Sequence, residues 1–371
     1  MPIKVLHVVP ALFGAEGVIG GAERYTLELA TCMAACTPTR LVTFGDVERT
    51  QAIGDLSIRV IGNSWYVRGQ RTNPFSPSLL SEICHADVIH CHQQHIVASS
   101  ISALFCRLSR RPVFVSDLGG GGRDISDYIS TDRLYDGHLH ISEYSKRVFG
   151  HTMNPTAHVI LGGVDTIKFS PGESLERKQQ ILFVGRILPH KGINDLIRAA
   201  PYNMSLEIIG QPSDSRFLND LHHLAVGKRV VFRHDCDDTM LVNAYRQAMC
   251  IVLPSVYRTM YGDETKVPEL LGQSLLEGMA CGAPAICTEI SSMPEIVQNG
   301  VSGFIVPPGD PFTLGQRIGW LAEHPCEALE MGRAARRRVL EKFTWPQVVR
   351  RCLSIYEGAM SAKDARLARA R

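Results

Sequence analysis

"VPELLGQSLLEGMACGAPAICTE", residues 267–289, sets two carboxylates, Glu269 and Glu277, around a run that is otherwise small or apolar. The run reads as a helix that begins near Gly272 or Gln273 and leads into a buried strand. Glu269 then stands in the loop just before the helix, with Glu277 about one turn inside it. A helix start presents N–H groups that lack an intrahelical acceptor, together with the positive end of the helix dipole. Gly272, Gln273 and Ser274 therefore supply amides suited to phosphate. An ionised carboxylate accepts hydrogen bonds and can take both hydroxyls of a vicinal diol, as on a ribose or a hexose. Carboxylate, amides and carboxylate in series fit a sugar, a diphosphate and a ribose, which together make a nucleotide sugar. The residues alone do not say which glutamate takes which end.

The same alternation of buried strand and amphipathic helix extends along the whole chain. "IKVLHVV", "TRLVTF", "ADVIHCH", "PVFVSD" and "HVIL" read as parallel strands in the first half, with helices in "AERYTLELATCMAA" and "SSISALFCRLS". In the second half "QQILFVG", "SLEIIG", "RVVF", "CIVLP", "APAICT" and "GFIVP" are the strands, with helices in "INDLIRAA", "DTMLVNAYRQAM" and "SLLEGMA". Between the halves, "LGGVDTIKFSPGESLERKQQ" is a linker by its Gly, Pro and charge content. A length of 371 residues suits two domains. The expected class is α/β, with two Rossmann-like domains whose ligands bind at the carboxyl ends of the strands.

A net charge of +2 and 20% charged residues argue against a dedicated nucleic-acid binder. The eleven cysteines are scattered, form no CxxC pair and fit small core residues of a reducing cytoplasm; Cys32 with Cys36 and Cys281 with Cys287 are the closest pairs. No apolar span of membrane-crossing length occurs. From Arg333 to Arg371, eleven Lys or Arg stand against three acidic residues. That basic end reads as a solvated helical face or as a peripheral contact with anionic lipid at the inner face of the membrane.

Two further stretches bear on the ligand. "PALFGAEGVIGGAERY" enters a helix at Gly20 and Gly21, where the backbone can come close to phosphate, although the spacing is not a dinucleotide fingerprint. In "ILFVGRILPHKGINDLI" Arg186 closes a buried strand and Lys191 follows at a helix start. The two cations suit a diphosphate and the charge that develops as a nucleoside diphosphate departs. In "HCHQQH", His90, His92 and His95 invite a metal reading. Alternation places His90 and His92 on one face of a strand, and an acceptor-side or structural role for His92 outweighs metal ligation.

The stretch from Val267, continuing through "MPEIVQNGVSGFIVPPGD", resembles the E-x7-E signature of the group 1 glycosyltransferases. "GGAERY", "ADVIH", "HISEYSKR", "GGVDTIKFSP", "FVGRILPHKG" and "CIVLPS" resemble further landmarks of that family in the same order, so the likeness covers nearly the whole chain. It implies the GT-B architecture, with domains at 1–165 and 166–349 and a C-terminal segment, 350–371, that completes the first. It implies retention of anomeric configuration, no cofactor and no metal. By the same resemblance Glu269 would touch hydroxyls of the transferred sugar, and Glu277 would bind the ribose. Arg186 and Lys191 would hold the diphosphate and assist its departure, and Gly20 and Gly21 would approach it from the other domain. The sequence departs from the family after "RPVFVS", where Asp117, Leu118 and a run of four glycines replace a usual histidine. Asp117 or the amides of Gly119–Gly122 are its candidate substitutes. Gln211 and Pro212 after Gly210, and His234 after "VVF", also differ from the family pattern.

The reading is therefore a retaining glycosyltransferase that moves a sugar from a nucleoside diphosphate to a hydroxyl acceptor, free or lipid-linked, in glycoconjugate or polysaccharide synthesis. A nucleotide-sugar epimerase of the same architecture and a non-catalytic nucleotide-sugar-binding protein are the alternatives.

Overall fold

The computed structural model describes residues 2–14, 17–18, 20–119, 130–173 and 177–369. The chain divides into two compact units, Met1–Gly163 with Trp345–Arg371, and Val164–Thr344.

The first unit runs through β1 (Val5–Val8), β2 (Phe13–Gly14), β3 (Gly17–Val18), α1 (Gly21–Ala34), β4 (Thr39–Phe44), β5 (Arg49–Ile53), β6 (Leu56–Ile61), β7 (Trp65–Tyr66) and β8 (Pro74–Phe75). It continues through α2 (Ser78–Cys84), β9 (Val88–His92), α3 (Val97–Ser109), β10 (Val113–Ser116), β11 (Gly137–His140), α4 (Glu143–Val148) and β12 (Ala157–Val159). Eight strands form one sheet in the order β12-β11-β10-β9-β1-β4-β6-β5, parallel except where β5 folds back on β6. Strands β1, β9 and β10 are buried along their whole length, as parallel strands covered on both faces must be. The core gathers Leu6, Val8, Ile89, Cys91, Val113 and Val115 from these strands with Ile83, Ala103 and Cys106 from α2 and α3.

The second unit contains β13 (Gln180–Val184), α5 (Ile193–Ala199), β14 (Ser205–Ile209), α6 (Ser215–Leu224), β15 (Arg229–Arg233), α7 (Asp238–Gln247) and β16 (Cys250–Leu253). Then come α8 (Gln273–Ala280), β17 (Ala285–Thr288), α9 (Met293–Ile296), β18 (Gly303–Val306), α10 (Pro311–Glu323) and α11 (Pro325–Lys342). Its sheet has the order β15-β14-β13-β16-β17-β18 and all its pairings are parallel. Both units are thus Rossmann-like α/β layers, as the alternating pattern predicts.

Helix α12 (Trp345–Arg369) belongs to the first unit. Trp345 Nε1 donates to Glu28 Oε2 at 2.9 Å, and its ring meets the edge of Tyr25 at 5.0 Å between centroids. A Cβ on Gly163 would fall 2.5 Å from that indole, so only glycine lets the chain pass there. Further along, Lys363 Nζ binds Asp136 at 2.7 Å and the Arg111 carbonyl at 2.8 Å. The basic end is therefore partly structural: Arg336, Arg338 and Arg351 also donate to backbone carbonyls within their own units.

Three strands of the eight-stranded sheet are not among the sequence expectations, for physical reasons. β11 carries His138 and His140 in four residues, β6 alternates apolar and polar side chains, and β5, which folds back on it at the sheet edge, is polar and largely exposed. All eleven cysteines are free thiols, and Cys91, Cys250, Cys281 and Cys287 are buried, with burial pushing each thiol up to about 12 or beyond. Cys36, expected as a small core residue, is instead exposed, because it lies just past the C-terminal end of α1.

Candidate functional site

In each sheet one strand has neighbours that lead the chain off in opposite directions, and ligands bind at the carboxyl ends of the strands flanking that point. In the second unit it lies between β13 and β16. The segments that leave these two strands carry Arg186 and Lys191 on one side and Ser255 on the other.

Lys191 ends a short 3-10 turn, Pro189–Lys191, and Gly192 follows at φ +65°. A Cβ on Gly192 would lie 2.0 Å from the Pro254 carbonyl oxygen, so glycine is required for the two strand exits to close on each other. The Val256 amide donates to the His190 carbonyl at 2.8 Å and fixes that closure. As a result Lys191 Nζ forms an ion pair with Glu269 Oε1, and Ser255 Oγ donates to the same oxygen at 2.8 Å. Both charged side chains are nearly enclosed, at 13% and 9% exposure. Thr288 Oγ1 donates to the Ser255 carbonyl at 2.6 Å and sets that residue in turn. Burial, followed by the charge of Lys191, lowers the imidazole of His190, which keeps a third cation out of this corner near neutral pH. Arg186 is exposed beside it.

Helix α8 starts at Gln273 after Gly272, whose φ is +77° and whose Cβ would meet Met293 at 2.7 Å. The first amides of α8, from Gln273 and Ser274, are those that a helix leaves without an internal acceptor. Glu269 lies before this start, and Glu277 lies just over one turn in, 3% exposed. Tyr245 on α7, itself fully buried, donates its hydroxyl to Glu277 Oε2 at 2.7 Å. Arg177 secures the ends of both helices by donating to the carbonyls of Tyr245, Ala248 and Cys281. The second unit thus gathers Arg186, Lys191, Glu269, Gly272, Gln273, Ser274 and Glu277 around one helix start. Ser255 and Tyr245 complete the group without any signature of their own in the sequence, since a serine after a strand and a tyrosine on a helix read as ordinary fold residues.

In the first unit the corresponding point lies between β1 and β9. A small pocket there is lined by Pro10 and Ala11 after β1, Ala22, Glu23 and Thr26 on α1, and His92 and Gln93 at the end of β9. Leu118 and Gly119 complete its wall. Gly20 caps α1 and Gly21 opens it, as the loop reading expects. Gln93 takes φ +138°, a conformation that side-chain-bearing residues rarely adopt and that concentrates at working sites. His92 lines this pocket, and Asp117 stands half-buried beside it, with Oδ1 accepting the Gly119 amide at 3.0 Å. Burial raises the Asp117 carboxyl above its ordinary value. Gly120, Gly121 and Gly122 lie outside the described residues.

Under the pocket, His92 is joined to His7 rather than to His95: His7 Nδ1 lies 2.7 Å from His92 Nε2. His90 shares a hydrogen bond with Ser116 Oγ at 2.9 Å and another with the Tyr356 hydroxyl at 2.8 Å. The three rings are fully buried, which pushes His7 down to about 3 and lowers the other two. They form a neutral, hydrogen-bonded stack in which only His92 Nδ1 lacks a partner.

Residues 165–338 match the family model of the group 1 glycosyl transferases. An uncharacterized glycosyltransferase, MJ1607, of Methanocaldococcus jannaschii is 27% identical over 74% of this chain and 76% of its own length. A D-inositol 3-phosphate glycosyltransferase of Acidothermus cellulolyticus is 29% identical over 55% of this chain, which spans about half of that relative, 48%. Among solved structures, sucrose-phosphate synthase of Thermosynechococcus elongatus superposes with a TM-score of 0.74 at 18% identity, covering 97% of this chain and all of that one. HepE of Anabaena, solved with UDP and glucose, superposes with a TM-score of 0.73 at 17% identity, over 96% of this chain and 100% of that one.

Proposed function

From the match of residues 165–338 to the group 1 glycosyl transferases, we propose that the chain moves a sugar from a nucleoside diphosphate to a hydroxyl acceptor with retention of configuration, in glycoconjugate or polysaccharide synthesis. The observation that carries this reading is the joining of Lys191, Glu269 and Ser255 at the start of α8, with Glu277 one turn behind.

Each group has a chemical part. Glu277, preset by Tyr245, accepts the two hydroxyls of the ribose. The amides of Gln273 and Ser274 meet the diphosphate at the positive end of the helix. Glu269 accepts hydroxyls of the transferred sugar, and Ser255 holds that carboxylate in place. Lys191 balances Glu269 before the donor binds. With Arg186 it then offsets the charge that collects on the phosphate as the bond from the sugar carbon to the phosphate oxygen breaks. The acceptor oxygen bonds to that carbon from the same face, and its proton passes to the departing phosphate oxygen. Two cations supply the charge that a metal would otherwise bring, so the transfer step is proposed to need none. The acceptor lies against the His92 pocket of the first unit, with Asp117 standing where the family has a histidine.

The test is incubation with a panel of nucleoside diphosphate sugars and hydroxyl acceptors, following nucleoside diphosphate release. Release that depends on the acceptor, survives a chelator, and is abolished by Lys191→Ala and by Glu269→Ala supports the reading. Conversion of the donor without any acceptor would indicate an epimerase, and tight binding without turnover a non-catalytic binder; either result overturns it.

A further inference from the structure

A second histidine cluster stands apart from the stack beneath the pocket. Asp132 begins a short 3-10 turn, Asp132–Leu134, His138 lies in β11, and His151 follows α4. Asp132 Oδ1 is 3.5 Å from His138 Nε2, and Asp132 Oδ2 is 3.6 Å from His151 Nε2. These separations are too long for good hydrogen bonds. They are close to the spacing of neighbouring ligands on one tetrahedral ion, since atoms about 2.0–2.1 Å from zinc stand about 3.4 Å from each other, and one ligand atom from each of the three residues lies within 4.8 Å of the other two.

The surroundings are those of ligands held in place. His138 is 1% exposed, and neither of its ring nitrogens has a hydrogen-bond partner, a state in which buried polar groups are seldom left. His140 Nε2 lies 3.0 Å from His151 Nδ1 and orients that ring with its Nε2 toward Asp132. Gln94 Nε2 donates to Asp132 Oδ1 at 2.5 Å, and Ser130 Oγ donates to Oδ2 at 3.1 Å, so both carboxylate oxygens are braced. Such outer partners are the usual companions of metal-ligating His and Asp. Asp132 keeps 37% of its side chain exposed, which leaves a way in from solvent.

We propose that Asp132, His138 and His151 bind a divalent metal ion of the zinc class through the carboxylate and the two Nε2 atoms, with an open fourth position. Two imidazoles and one carboxylate are donors that zinc accepts, whereas magnesium and calcium prefer oxygen alone. The His7, His90 and His92 stack is the weaker candidate, since His90 already spends both nitrogens on Ser116 and Tyr356. Ion binding would tie the β9–α3 connection, the 3-10 turn, β11 and the segment after α4 together at one point. That makes it a structural clip at the rim of the first sheet, separate from sugar transfer.

The experiment strips the full-length protein with a chelator and titrates it with Zn²⁺ alone and with Co²⁺ alone. It reads ion stoichiometry, Co²⁺ visible absorption and the thermal midpoint. We expect one ion per chain, absorption typical of four- or five-coordinate cobalt, and a midpoint raised by about several degrees at saturation. Asp132→Asn, which keeps an acceptor for Gln94, and His151→Gln should each weaken affinity by about tenfold or more, while His92→Gln should bind as the parent does. If His151→Gln fails to fold, Asp132→Asn alone decides. No stoichiometric binding by the parent, unchanged affinity in Asp132→Asn, or loss confined to His92→Gln overturns the assignment.

Discussion

Replacing Lys191 by alanine leaves Glu269 nearly enclosed, at 9% exposure, with the single hydroxyl of Ser255 as its remaining partner. Breaking a fully buried ion pair from one side costs about 3–5 kcal/mol. The retained hydroxyl and the residual exposure reduce this to about 2–3 kcal/mol. Glu269→Ala costs less, about 1–2 kcal/mol, because a flexible lysine can turn toward water. The double variant removes both charges, so its loss should fall short of the sum by about 1–2 kcal/mol. For a unit of this size each kcal/mol moves the thermal midpoint by about 2–4 °C. Lys191→Ala is therefore expected about 4–12 °C below the parent, with the double variant no lower. Activity should behave differently: both single variants lose turnover and the double does not regain it, since the reaction needs the cation and the carboxylate separately. Strictly additive midpoint shifts, or a Lys191→Ala midpoint within about 1 °C of the parent, would refute the pairing.

Tyr245→Phe removes the donor to Glu277 Oε2 and should cost about 1–2 kcal/mol of stability while weakening nucleoside diphosphate binding, which calorimetric titration measures. Gly192→Ala puts a methyl 2.0 Å from the Pro254 oxygen and should lower both the thermal midpoint and turnover, whereas Gly227→Ala, with nothing within 4 Å, should lower the midpoint by less and spare turnover. Acid should destabilise the fold through His7, His138 and His140, which folding lowers to about 3, 4 and 3. Their unfolded counterparts take up protons below about pH 6.5, so the stability they contribute is complete above that value and is lost as pH falls toward 4. Each adds up to about 1.4 kcal/mol per pH unit to the slope, and denaturant midpoints that stay flat between pH 6 and 4.5 would contradict their burial as neutral rings.

How much of this was legible in the sequence differs by element. All six strands of the second sheet stand out because each is a short run dominated by β-branched or other apolar residues, bounded by Gly, Pro or charge. β11 does not, because burial of "GHLH" is possible only with partners such as His151 and Asp132 that lie elsewhere in the chain. The helix start at Gly272 and the two flanking carboxylates were legible from spacing alone, and so were the cations of the β13 exit. That Lys191 and Glu269 touch was not, since 78 residues separate them and the contact depends on Gly192 closing onto Pro254. His7 was likewise hidden within an apolar strand, and only the pairing of β1 with β9 brings it beside His90.

The most direct test of the central claim is anomer-resolved proton NMR of the complete reaction with the donor that the panel selects. Acceptor-dependent release of the nucleoside diphosphate is expected, with a product whose new glycosidic bond keeps the anomeric configuration of the donor, and neither signal in Lys191→Ala or Glu269→Ala. Inversion at the anomeric carbon, or a donor epimerised with no acceptor present, would contradict it.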